Sequence, residues 1–87
     1  MAIQPERPAT LRLVVTLRPS LLHVCTGFVE QSARALGLGA REALALTLAA
    51  EEVFSYLAAG AAQDQDLRIE CQGGGYEVTA VFTLSRH

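Results

Sequence analysis

Apolar positions along the chain first predict a strand and then a helix. The run LRLVVTL (11–17) is apolar and rich in β-branched residues, which is typical of a strand, and Pro19 ends it. Ser20 is a candidate N-cap for the helix that follows. Small and apolar residues then recur at helical spacing, namely Leu21, Cys25, Phe28, Val29, Ser32 and Leu36. Gly37 and Gly39 predict the end of this first helix.

A second helix is predicted from about Arg41 to Ala59, and it is apolar on more than one side. One stripe along it holds Ala43, Leu46, Ala50, Val53 and Leu57, whereas Leu44, Leu48, Glu51, Glu52, Ser55 and Tyr56 point elsewhere. A surface helix packed on one side only keeps a polar outer face. We therefore expect this helix to be sandwiched between layers or covered by a partner.

The last third of the chain predicts a β-hairpin. LRIEC (67–71) and YEVTAVFTL (76–84) flank QGGG, and the glycines supply the backbone freedom of a tight connection. The element order is then β-α-α-β-β, an α+β two-layer sandwich with two helices on one face of a three-stranded sheet. We expect residues 1–87 to form a single domain with a flexible N-terminal segment at 1–9. The strand VTAVFTL carries little charge to protect an open sheet edge.

Composition narrows the function classes. Hydrophobic residues make up 51% of the 87 residues, which is high for a domain that buries only about 60–65% of its unfolded surface. The net charge is −2, and the seven Arg are scattered without a single Lys, so no basic patch for nucleic acid is present. Glu51 and Glu52 interrupt the longest apolar stretch, which argues against a membrane span. Cys25 and Cys71 form no disulfide framework, and no third ligand joins His23, so we expect no metal and a cytoplasmic location.

The segment Leu48–Gly60, together with the preceding strand and the trailing hairpin, resembles the first half of the GHKL (histidine-kinase-like) ATPase fold. Within that superfamily it looks most like the bacterial anti-sigma-factor serine kinases. The resemblance places Glu52 at the family's catalytic acidic position and Ser55 close to its Thr. Tyr56 stands where the family has its magnesium-binding Asn, and Gly60 stands where it often has His. A phenol is a poor ligand for magnesium.

The rest of the family's nucleotide site is missing from the sequence. Thr83 or a neighbour stands where the family's Asp-x-Gly-x-Gly turn should begin, and the sequence has no phosphate-binding lysine. Gly73, Gly74 and Gly75 lie between two predicted strands, not before a helix, so we interpret them as a hairpin and not as a phosphate cradle. The resemblance therefore implies a degenerate nucleotide-binding site, and no cofactor is expected.

Three functions remain open on this basis. The favoured one is a non-catalytic regulatory module that works by protein contacts. We expect it to form a homodimer, or to bind a sigma factor or an anti-sigma antagonist. Its candidate partner-binding residues are Glu51, Ser55 and Tyr56. A first alternative is the N-terminal half of a longer ATP-binding serine protein kinase, with ATP and magnesium as cofactors, further motifs beyond residue 87 and Glu52 as a catalytic residue. A second alternative is an unrelated small α/β oligomerisation module.

Overall fold

The order of helices and strands is the one predicted from the sequence. A computed structural model describes residues 9–61, 65–74 and 77–85. Its elements are β1 (Ala9–Thr16), a 3₁₀ turn (Pro19–Leu21), α1 (Leu22–Ala35), α2 (Ala40–Gly60), β2 (Asp66–Gly74) and β3 (Glu77–Ser85). The strands form one antiparallel sheet in the order β1-β2-β3. The α+β fold with two helices on a three-stranded sheet is thereby confirmed. Residues 1–8 of the expected flexible segment lie outside the described residues, whereas Ala9 begins β1.

The central strand β2 has one buried apolar face and one polar face. Leu67, Ile69 and Cys71 are fully buried, because they face the helices. On the other face, Glu70 accepts a hydrogen bond from Arg12 Nε of β1 at 2.9 Å. The sheet is therefore covered by helices on one side only, as the alternating pattern of its strands predicts.

Helix α1 buries its inner face against β1 and β2. Cys25, Val29 and Ala33 on that face have no exposed surface. The expected capping role of Ser20 is wrong: Ser20 is exposed within the 3₁₀ turn, and Leu21 occupies the N-cap position without a side-chain hydrogen bond. Pro19 starts that turn, and backbone bonds of the turn lead into the helix in place of a hydroxyl cap.

The connection between α1 and α2 closes the end of α1 with backbone hydrogen bonds. The Leu38 N–H donates to the Ala33 carbonyl at 3.0 Å, and the Gly37 N–H donates to the Arg34 carbonyl at 3.1 Å. This is a Schellman arrangement, which requires a left-handed residue, and Gly37 has φ = 106°. The predicted end of the first helix at Gly37 is confirmed.

The β2–β3 connection is shorter than predicted. Gly73 and Gly74, expected in the turn, belong to β2, and Gly74 pairs with Glu77. Gly75 lies outside the described residues. A Cβ atom on Gly73 would stand 2.7 Å from the Glu77 carbonyl oxygen, so the close approach of the two strands explains a glycine there.

One hydrophobic core joins the helices and the sheet. Phe54 of α2 is fully buried and packs in the same cluster as Val29 of α1 and Leu67 and Ile69 of β2. Burial decreases towards β3, where the inward side chains Val78, Ala80 and Phe82 are only partly buried. The core is therefore centred on β2, and β3 lies at its margin.

Candidate functional site

Helix α2 is fixed in the fold by an inner face of mostly small residues. Ala43, Thr47, Ala50 and Phe54 are buried at helical spacing. The Thr47 hydroxyl donates to the Ala43 carbonyl at 2.7 Å, which satisfies this buried polar group within the helix. The small side chains allow α2 to pack along α1, and Phe54 reaches the core. This anchoring determines which side of α2 points outward.

The opposite side of α2 exposes large apolar side chains. We define the α2 outer face as Leu44, Leu48, Glu51, Glu52, Ser55 and Tyr56, all of which are exposed. Leu44 is 52% exposed, Leu48 is 53% exposed and Tyr56 is 82% exposed. Single exposed apolar residues are common on protein surfaces, whereas apolar side chains that recur along one helix face form a larger exposed apolar patch. The expectation that α2 is apolar on more than one side is confirmed.

The acidic part of the α2 outer face borders a shallow depression. Leu48, Glu51, Glu52 and Ser55 line this depression, which measures about 340 Å³ and is open to solvent. Among the described residues, neither Glu51 nor Glu52 forms an ion pair. The two carboxylates are therefore free to meet a positively charged group from outside the chain.

Tyr56 contributes to a different depression from the two glutamates. It lines an open groove of about 500 Å³ between the last turns of α2 and the end of β3, together with Leu57, Ala61, Gln65 and Leu84. The structure thus brings the predicted site residues Glu51, Glu52 and Ser55 together and places Tyr56 beside the groove at the C-terminal end of the helix.

Two kinds of residue were missed by the sequence interpretation. Phe54 and Thr47 are buried, although the predicted inner stripe ran through Leu46, Val53 and Leu57, which are only partly buried. Leu84 lines the groove beside Tyr56. The spacing of Ala43, Thr47, Ala50 and Phe54 by three and four residues could have revealed the inner face, whereas no sequence pattern placed Leu84 beside α2.

Other predicted features occupy structural positions. His23 is exposed on α1, and Thr83 is a half-buried residue of β3 opposite Arg68. Gly73 and Gly74 lie at the end of a strand and not before a helix. Within the described residues, no group of three or more His, Cys, Asp or Glu side chains is placed to hold a metal ion.

Two buried thiols lie on facing elements of the core. Cys25 of α1 and Cys71 of β2 are both free thiols without exposed surface. Burial, with a smaller contribution from the nearby Cys71, raises the pKa of the Cys25 thiol to about 11. Burial also raises the pKa of Cys71, against a hydrogen bond with Ser32 that lowers it. Both groups remain protonated at neutral pH and are poor nucleophiles.

The length and apolar composition of α2 would also suit a membrane span. It has 21 residues, and it is the only helix in the described part of the chain that passes this test. Only 17% of its most apolar window is buried, but its inner face packs onto α1 and contributes Ala50 and Phe54 to the core. Glu51 and Glu52 stand exposed beyond its midpoint. Packing and charge together assign α2 to a small globular fold.

Comparison with known proteins identifies no relative. No protein-family model matches the chain, and neither a curated protein nor a solved structure matches it.

Proposed function

We propose that this chain is a non-catalytic regulatory module that binds another protein through the α2 outer face. The observation that carries the proposal is the exposure of Leu44, Leu48 and Tyr56 along one helix whose opposite side is anchored in the core. Among the described residues, the hydrophobic core and the side chains packed against it include none of these three. Contact with a partner would remove them from water.

The composition of the α2 outer face specifies the chemistry of that partner. Covering one half-exposed leucine is worth about 1 kcal/mol, since complete burial of such a side chain contributes about 1.5–3 kcal/mol. Tyr56 adds an aromatic group of the kind enriched at the centre of protein interfaces. Glu51 and Glu52 favour a partner that places Arg or Lys beside its apolar contact. We therefore expect a protein surface that is apolar in the middle and basic at one side.

The resemblance to anti-sigma-factor kinases suggests the biological setting. It implies a cytoplasmic regulatory role in bacteria, with a sigma factor or an anti-sigma antagonist as partner. Tyr56 stands at the position of the family's magnesium ligand. A bulky phenol there supports regulation by protein contact over nucleotide chemistry.

Nucleotide titration tests the non-catalytic part of the proposal. Isothermal titration of the chain with ATP and magnesium is expected to give no binding at micromolar concentration. Micromolar binding would contradict the proposal. It would favour instead an ATP-binding serine protein kinase with Glu52 in its active site and its remaining motifs beyond residue 87.

Site-specific photo-cross-linking tests the binding surface. A photoreactive amino acid at Leu48 is expected to cross-link the chain to one partner in the native cells, and Leu48→Gln is expected to weaken binding of that purified partner. The matched control carries the photoreactive group at Gln31, an exposed residue on α1. Equal cross-linking from Leu48 and Gln31, or unchanged partner affinity in Leu48→Gln, would rule out the α2 outer face as the binding site.

A further inference from the structure

The two edge strands of the sheet differ in how they discourage pairing with another chain. Edge strands expose unpaired backbone N–H and C=O groups, and proteins protect them with charge, proline or a short length. On β1 (Ala9–Thr16), Arg12 stands in the middle of the strand with its side chain 66% exposed. On β3, the nine residues Glu77–Ser85 carry one charge, at the first residue. The β3 edge lacks the protection that the β1 edge has.

No residue of β3 is buried, whereas β1 contributes Val15 and β2 contributes Leu67, Ile69 and Cys71 to the buried core. Leu84, on the helix-facing side, is 42% exposed, although its neighbour Leu67 across the strand pair is fully buried. Val81, on the other side, is 41% exposed. β3 thus combines an unprotected backbone edge with apolar groups on both of its faces.

We propose that two copies of this chain pair β3 against β3, antiparallel and centred on Val81, to form one six-stranded sheet. This proposal concerns a second copy of the chain and does not rest on the α2 outer face. Residues that pair across strands must point to the same face of the sheet, so the two-fold axis must pass through a residue of β3. Val81 is the midpoint of β3, and a centre there pairs all nine residues.

In this register, the side chains that would lie opposite each other across the two copies of β3 are compatible in size and polarity. On the helix-facing side, Phe82 would lie opposite the partner's Ala80, a large group against a small one, and Val78 would lie opposite the partner's Leu84. On the other face, Thr79 would lie opposite the partner's Thr83. The two Glu77 carboxylates would stand at opposite ends, roughly 27 Å apart at 3.4 Å per residue, which is beyond the screening length at physiological salt. The pairing therefore sets no like charges against each other.

The test compares a charge on each edge strand. Val81→Lys places two lysines face to face at the two-fold axis, but within the chain it lies opposite Glu70 and should fold. Val14→Glu is the matched control, because Val14 is an exposed valine of β1 and lies opposite Arg68. Sedimentation from low to high micromolar concentration is expected to show a dimer of two 9.3-kDa chains. Val81→Lys is expected to weaken it about tenfold or more, and Val14→Glu is expected to leave it unchanged.

Cross-linking then tests the register. Val81→Cys is expected to cross-link to its own copy with a short bis-maleimide, whereas Val14→Cys is expected not to, and the native Cys25 and Cys71 are buried. A monomer at high micromolar concentration would overturn the proposal. A dimer that survives Val81→Lys but dissociates in Leu48→Gln would also overturn it and would place self-association on α2. If only partner binding fails in Leu48→Gln, the β3 pairing stands.

Discussion

Helices α1 and α2 bury similar inner faces but expose very different outer faces. Each packs small residues inward, with Ala33 on α1 and Ala43 and Ala50 on α2. Outward, α1 presents mainly polar groups, among them His23, Glu30, Gln31 and Arg34, whereas α2 presents Leu44, Leu48 and Tyr56. Packing inside the domain accounts for the inner faces only. We attribute the difference between the outer faces to the partner contact proposed above.

Helix formation does not account for the apolar outer face of α2. Glu, Lys, Arg and Gln have helix propensities close to that of Leu, so polar residues at Leu44 and Leu48 would serve the helix as well. The helix is also rich in alanine, whereas α1 carries Gly27 in its middle. α2 thus has the higher helix propensity of the two helices, and its exposed face is the more apolar one.

The largest predicted effect contrasts the two aromatic residues of α2. Phe54→Ala is expected to lower the free energy of unfolding by about 3–5 kcal/mol, because it removes a fully buried ring from the core. Tyr56→Ala is expected to change it by less than about 0.5 kcal/mol, because Tyr56 is exposed. Urea denaturation at one protein concentration measures both values. A large loss of stability in Tyr56→Ala would show that the outer face is part of the folded core and would break the comparison between the helices.

A second, smaller effect follows from the titratable group on the inner face of α1. Burial raises the pKa of the Cys25 thiol from 9.0 to about 11. Between these values the unfolded chain loses the proton and the folded chain retains it, so stability is full below pH 9.0 and falls as pH rises towards 11. The slope is at most about 1.4 kcal/mol per pH unit for this one thiol.

Denaturation of the reduced protein at a series of alkaline pH values measures that slope. Cys25→Ala serves as the control, since it removes the group and is expected to flatten the decline, leaving the contribution of Cys71 and the surface groups. If the wild type and Cys25→Ala lose stability in parallel above pH 9.0, the thiol ionises equally in both states and is not held in a dry core.

Two glycines of the α1 region are predicted to respond to alanine with opposite signs. Gly37→Ala is expected to destabilise the fold by about 1–2 kcal/mol, because its left-handed conformation at φ = 106° disfavours a Cβ atom. Gly27→Ala is expected to stabilise it by about 0.5–1 kcal/mol, since Gly27 lies inside α1 with open space around its Cα atom. Thermal unfolding of the two variants checks both signs. Stabilisation by Gly37→Ala would contradict the described end of α1.

The sequence predicted the fold better than it predicted the surfaces. Periodicity located both helices, and Gly37 marked the end of α1, because helix boundaries depend on local backbone preferences. Ser20 was predicted to cap α1 but lies in the 3₁₀ turn, and Gly73 and Gly74 were predicted in the hairpin turn but belong to β2. A 3₁₀ turn and the close approach of β2 and β3 depend on tertiary contacts. Likewise, the two-sided character of α2 was visible in its pattern, but the groove shared by Tyr56 and Leu84 joins residues 28 positions apart in the chain. Such long-range neighbours leave no periodic signal in one sequence.

The smallest predicted effect on stability is also the most direct test of the contrast between the helices. Replacing both Leu44 and Leu48 with Gln is expected to change the free energy of unfolding by less than about 0.5 kcal/mol per site, because both side chains already contact water in the folded domain. The same variant is expected to elute earlier from a hydrophobic-interaction column, whereas Val24→Gln, at the half-exposed Val24 of α1, is expected to alter retention less. If the double variant instead unfolds at markedly lower urea concentration, Leu44 and Leu48 support the fold itself. The apolar outer face would then need no partner to explain it.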